Sequence, residues 1–146
     1  MKDLKDKIIA ITGGATGIGF ALAKAFGFEG AKIVIGEKRE EKLQEAIDKL
    51  KSLNIDAHKT HLDVTDLKSV ENFAEFTCEC YGHVDMLINN AGISGARGRI
   101  DKVDIEEAKK VFDVNFFGVW HGCSVFSKKM IEQGTSAAIY NLGSEN

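Results

Sequence analysis

Residues 12 to 19 read Thr-Gly-Gly-Ala-Thr-Gly-Ile-Gly and follow directly on a short apolar run, Lys7 to Thr12. Glycines at a strand-to-helix turn let the backbone bend sharply and let a pyrophosphate come close, while the free amides and dipole at the helix start favour its negative charge. Gly13, Gly17 and Gly19 are the glycines such a turn needs, with Thr16 and Ile18 between them. Their spacing departs from G-x-G-x-x-G, so the reading rests on the position between a strand and a helix more than on the pattern. Glu37 stands at the tip of the next apolar run, and the stretch from the first strand to that point is about the 30 residues a dinucleotide fingerprint requires. A carboxylate there accepts both adenosine ribose hydroxyls and repels a 2′-phosphate, which favours NAD over NADP. Lys38 and Arg39 pull the other way. The plainer alternative is a glycine-rich turn that binds nothing, with Glu37 a solvated loop charge.

The elements that must hold these residues follow from periodicity. Lys7 to Thr12 and Lys32 to Gly36 suit strands buried on both faces, and Asp56 to Leu62, Met86 to Asn89 and Ala137 to Leu142 supply three more. Between the first two strands, Ile18, Leu22, Ala25 and Phe26 recur at helical spacing, and Gly30 ends the helix. Glu40 to Leu53 repeats the pattern with Leu43, Ala46, Ile47 and Leu50 on one face. Asp66 caps a helix to about Tyr81 whose inner stripe is Leu67, Val70, Phe73, Ala74 and Thr77. Asp104 and Glu107 stand as N-cap and N3 of a long helix to about Glu132. Strands alternating with helices predict an α/β fold: a Rossmann-type doubly wound parallel sheet in three αβα layers, with right-handed crossovers and strand order 3-2-1-4-5. One dinucleotide-binding domain spans residues 1–146, and the ligand lies over the carboxyl ends of the first and fourth strands. Four residues follow the fifth strand, so the fold is expected to be truncated there.

With Asn89-Asn90-Ala91-Gly92 after the fourth strand, the glycine turn makes almost the whole chain resemble the short-chain dehydrogenase/reductase family, in which both segments occur in this order. The resemblance implies NAD(H)-dependent hydride transfer between a small-molecule alcohol and a ketone. It implies that Gly13, Thr16, Gly17, Ile18 and Gly19 hold the cofactor's phosphates. Asp63 then binds the adenine amino group beside the Val64 amide, and Asn90, Ala91 and Gly92 lie along the ribose. Asp63 read alone is a loop carboxylate closing a turn.

On the long helix, Ile105, Ala108, Phe112, Asn115, Val119 and Phe126 fall on much the same face, so an amide sits in an apolar stripe and must find partners. An Asn bonded to a neighbouring strand satisfies that pattern. By resemblance, Asn115 locally opens the helix and holds a water in a proton relay. Ser144 matches the family's catalytic serine, which steadies the substrate oxygen; alone it is an ordinary turn serine.

One departure stands out. The family's acid/base is a tyrosine shortly after the serine, with a lysine four residues on, so that both share a helical face and the ammonium lowers the phenol's pKa. Tyr81 has Asp85 four residues later and Tyr140 has Ser144, so the 146 residues contain no Tyr-x-x-x-Lys. Tyr140 reads as strand packing. A truncated, non-catalytic dinucleotide-binding module is therefore the alternative to an enzyme.

Composition narrows the partners. Lys plus Arg number 19 against 22 Asp plus Glu, a net charge of −3 that suits no nucleic acid backbone. The apolar run Ile8 to Ile11 is too short for a signal peptide or membrane span, and three irregularly spaced cysteines fit a reducing, cytoplasmic compartment. His58, His61, His83 and His121 show no ligand spacing, so no metal site is expected. Arg97 and Arg99 sit in a loop at the ligand-binding rim, where a solvated role is the simpler reading. Between Val111 and Phe126 the helix 105–132 is apolar on every side, Phe117 and Trp120 included, which predicts a homo-oligomer formed on its outer face.

Overall fold

The computed structural model describes residues 3–95 and 97–143. Among them, β1 (Ile8–Thr12), β2 (Lys32–Glu37), β3 (Ala57–His61), β4 (Met86–Asn89) and β5 (Ala138–Asn141) form one parallel sheet in the order β3-β2-β1-β4-β5, as expected. The helices are α1 (Gly17–Phe28), α2 (Glu40–Ser52), α3 (Leu67–Tyr81), α4 (Ile105–Phe112) and α5 (Gly118–Gln133). Ile9 faces Ile33 across the β1–β2 pair, and Ala10 faces Leu87 across β1–β4. Because side chains alternate along a strand, β1 and β2 feed two separate cores. Ile9, Ile11, Ile33 and Ile35 pack with Ala23, Leu43, Ile47 and Leu50 from α1 and α2. Ala10 and Val34 pack on the other face with Val70 and Phe73 of α3 and Phe126 of α5. The Phe73 and Phe126 rings lie 5.6 Å apart and are fully buried, each contributing roughly 1.5–3 kcal/mol by leaving water.

The caps follow from residue chemistry. Asp66 accepts from the Lys68 N–H at 3.0 Å to start α3, and Gly82, with φ of 88°, ends it. Asp104 accepts from the amides of Glu106 and Glu107 at 2.7 and 3.3 Å to start α4.

Four expectations need correction. In α1 the buried residues are Gly19 and Ala23, the expected Leu22 and Phe26 are half-buried against the core, and Ile18 and Ala25 are exposed; small side chains bring this helix close to the sheet. In α3, Leu67, the first residue of the helix, is exposed. The long helix runs as expected from Ile105 to Gln133, with Asp113–Phe117 a π turn between α4 and α5. Its expected apolar stripe, however, is not buried. Ile105, Phe112 and Asn115 are exposed, α4 buries no side chain, and Phe126 in α5 is the stripe member that reaches the core. Tyr140 is 51% exposed instead of packed, because β5 is the edge strand and no described residue covers that face. No helix among the described residues is long and apolar enough to cross a membrane.

Candidate functional site

The loops after β1 and β4 interlock at the centre of the sheet, where the strand order reverses direction. Thr12, the last residue of β1, is buried, and its hydroxyl accepts from the Asn90 and Ala91 amides at 3.0 Å each. In return the Asn90 side-chain amide donates to the Thr12 and Gly13 carbonyls, both at 3.0 Å. The Gly13 φ of +63° is one that L side chains rarely adopt. A Cβ on Gly19 would stand 2.4 Å from both the Gly13 carbonyl oxygen and Asn90 Nδ2, so the first helical turn fits under the loop only without one. The Gly14 amide ties the same turn to the Gly36 carbonyl of β2 at 3.2 Å.

Glu37 ends β2 and is buried. Its Oε1 accepts from the Lys38 and Arg39 amides at 3.0 and 3.1 Å and from Arg39 Nε at 3.1 Å; Oε2 accepts from Arg39 Nη2 at 3.2 Å. Arg39 also donates to the Thr16 hydroxyl at 3.1 Å, closing a bridge from β2 to the glycine turn. Burial pushes the Glu37 carboxyl up, but the hydrogen bonds and charge of Arg39 and the Lys38 amide outweigh it and hold the group below the ordinary glutamate range. Asp63, in the loop after β3, pairs with Lys38 Nζ at 2.6 Å and accepts from the Thr65 amide and hydroxyl at 3.1 and 2.7 Å. Burial raises this carboxyl too, and Lys38 with Thr65 more than offsets it, so Asp63 is also ionised at neutral pH.

These groups border one cavity of about 770 Å³, lined by every expected cofactor residue except Gly17 and Gly19. Gly19 lies beneath the turn, and Gly17 opens the helix at its exposed start. That volume suits a sizeable ligand, and the cavity opens where the strands' carboxyl ends switch direction. Ile18 is half of a corrected expectation, since the side chain missing from the α1 core lines this cavity.

Asn115 sits in the middle of the π turn, so the helix does open there. Its side chain accepts from the Ile93 amide and donates to the Ile93 carbonyl, both at 2.9 Å, which fastens the loop after β4 to the helix. Ser144 lies outside the described residues. The strand leading to it is held where Asn89 Nδ2 donates to Asn141 Oδ1 at 2.8 Å.

Sequence reasoning did not single out Thr12, Ile93, Lys110 or Asp113 as parts of this site. Lys110 and Asp113 were legible in principle, since they lie five and two residues before Asn115. Of the histidines, His83 contacts the Asp85 carboxylate at 3.1 Å, His121 reaches the Val64 carbonyl at 2.8 Å, and His58 sits edge-on to Tyr81. Arg99 pairs with Asp101 at 3.0 Å, consistent with a solvated loop.

The family model for short chain dehydrogenases matches residues 7–146. The chain belongs to the short-chain dehydrogenase family. Within that family it is 36% identical over 144 residues to the oxidoreductase YxnA of Bacillus subtilis, covering 99% of this chain and 40% of that relative. It is 35% identical to the C alpha-dehydrogenase of Sphingobium sp. strain SYK-6, covering 99% of this chain and 47% of that one. The structure of a short-chain dehydrogenase/reductase from Burkholderia phymatum in complex with NAD superimposes with a TM-score of 0.94 at 33% identity, over 99% of this chain and 51% of that one. The chain thus spans about half the length, or less, of these members of the short-chain dehydrogenase family.

Proposed function

We propose that this chain is the dinucleotide-binding part of a cytoplasmic, NAD(H)-dependent oxidoreductase acting between a small alcohol and a ketone. The observation that carries the reading is the convergence of Gly13, Glu37, Asp63 and Asn90 on one cavity at the β1–β4 switch point. The residues fit the cofactor. Glycines at 13 and 19 let the turn pack directly on Asn90 and Ala91, and the amides of Gly17, Ile18 and Gly19 begin α1, where an anion is favoured. Thr16 borders the same turn. Glu37 Oε2 has one protein donor and can still accept a ribose hydroxyl. Asp63 and Val64 face the adenine end, and Asn90, Ala91 and Gly92 the ribose at the other. When bound, the nicotinamide supplies the hydride acceptor or donor.

In the substrate half, Ser144 orients the reacting oxygen. Asn115 contributes through the helix it opens. Beyond its two bonds to Ile93 its side-chain amide keeps one lone pair and one N–H, with which it can hold the relay water. A NAD-bound relative of the same fold supports the cofactor assignment.

NAD(H) is expected to bind tighter than NADP(H), and Glu37→Ala to narrow that preference by about ten- to a hundredfold, since hydrogen bonds to a charged group are worth about 1.5–3 kcal/mol. The variant also releases the Arg39 guanidinium toward a 2′-phosphate. Because Glu37 is ionised below the ordinary range, the preference should persist through mildly acidic pH and fade only as pH falls through that lowered value. Calorimetric titration of both cofactors checks this, and tighter NADP(H) binding by the unaltered chain would refute it.

The exposed aromatic face of the π turn and α5 is proposed to be covered by a second copy of the chain. Phe116 and Phe117 stack edge-on, 5.2 Å between centroids, and Trp120, 63% exposed, lies beside them. A contiguous patch of this kind marks an interaction surface. Sedimentation should show concentration-dependent association with a blue shift of Trp120 fluorescence; a stable monomer with an unshifted, solvent-exposed Trp120 would exclude the interface.

A further inference from the structure

The helix that carries the π turn also reaches across to the opposite end of the cavity. Its residues Gly118 and His121 converge on Val64, in the loop after β3. His121 Nδ1 lies 2.8 Å from the Val64 carbonyl oxygen. A carbonyl only accepts, so Nδ1 carries the hydrogen. Gly118 is buried, and a Cβ there would come 2.7 Å from Val64 Cγ2, so the helix start lies flat against this residue. The loop is otherwise fastened on its other side: Asp63 N donates to Ser69 Oγ at 3.0 Å, and Asp66 N to Asp63 O at 3.1 Å. Among the described residues the Val64 N–H has no protein acceptor, while its carbonyl is held from α5.

We propose that His121 is a positioning residue for the adenine: by gripping the Val64 carbonyl it fixes the Val64–Thr65 peptide, whose Thr65 N–H donates to Asp63 Oδ1, so that the Asp63 carboxylate is aimed at the base edge beside the Val64 N–H. The inference rests on the dinucleotide reading above. A peptide plane is rigid, so holding the Val64 oxygen sets the direction of the Thr65 N–H and, through its 3.1 Å bond, that of the Asp63 carboxylate. The adenine edge offers an amino donor and a ring-nitrogen acceptor, complementary to a carboxylate and a backbone N–H. His121 therefore acts through Val64 and touches no ligand.

The test compares NAD with nicotinamide hypoxanthine dinucleotide, which differs only at the base edge. Calorimetry on the full chain should show NAD binding about five- to tenfold tighter, the worth of roughly one hydrogen bond. In His121→Ala both ligands bind, but the ratio collapses toward one. In His121→Asn, whose side-chain amide places a donor near the original Nδ1, the ratio is restored. A general loss of structure would weaken both ligands equally and leave their ratio in place, which circular dichroism of each variant will register. A ratio unchanged in His121→Ala overturns the role of His121. Equal affinity of the unaltered chain for the two ligands overturns the assignment of this loop to the adenine, while cofactor binding stands. Binding of neither refutes the dinucleotide reading itself.

Discussion

Gly19→Ala is expected to abolish measurable NAD binding while leaving the chain folded but less stable. The added methyl would sit 2.4 Å from the Gly13 carbonyl oxygen and 2.4 Å from Asn90 Nδ2, and one of these is backbone that cannot turn aside. Overpacking a tight contact costs about 1–3 kcal/mol. Relief by shifting Asn90 would break its bonds to Thr12 and Gly13, at about 1 kcal/mol each. A loss of this size lowers the melting temperature by several degrees, at about 2–4 °C per kcal/mol for a domain of this length. The displaced glycine turn removes the phosphate site altogether, so the binding loss should exceed a hundredfold. Titration calorimetry and thermal melts on the same samples separate the two effects. Binding that survives at its original strength would show that the phosphates are held elsewhere.

The second large effect is an absence: the 146-residue chain should bind cofactor yet turn over neither alcohols nor ketones. A positioned acid/base contributes about 10²–10⁴-fold, and neither tyrosine present is placed to serve. The Tyr81 hydroxyl donates to Asp56 Oδ1 at 2.7 Å. Burial, together with that neighbouring carboxylate, drives the phenol far above its ordinary value, the wrong direction for a proton donor at neutral pH. Asp56 precedes β3, so the pair sits at the opposite end of the sheet from the cavity. Tyr140 lies within β5, ahead of Ser144. Cofactor-dependent turnover that survives purification and is abolished by Ser144→Ala would show that another group does this work.

How far the sequence discloses such a molecule depends on what each residue is buried against. The runs Ile8–Thr12 and Lys32–Glu37 are apolar because helices cover both sides of the central strands, and so their type and order are legible. The face of α1 was misread because Gly19 and Ala23 make its close contacts, and small residues leave no hydrophobic signal. The stretch from Phe112 to Phe126 carries aromatics on all sides, so periodicity cannot tell its core face from a face awaiting a partner. At the site, Gly13, Glu37 and Asn90 were legible from type and position. That Arg39 folds back onto Glu37, or that Lys38 crosses to Asp63, was not, since such pairings depend on rotamers of long side chains that no spacing rule specifies.

The interlock of Asn90 with Thr12 and Gly13 has a thermodynamic consequence for the ligand. Ordering one backbone residue costs about 1–2 kcal/mol of conformational entropy. A glycine-rich loop left free would lose that amount, residue by residue, each time a dinucleotide arrived. Here bonds within the protein order it: the Thr12 hydroxyl, the Asn90 amide and the Gly14–Gly36 bond hold the turn in its left-handed bend. Binding energy drawn from the phosphates is then free to be expressed as affinity, and the flexibility of the glycines is spent in reaching the fold instead of in reaching the ligand.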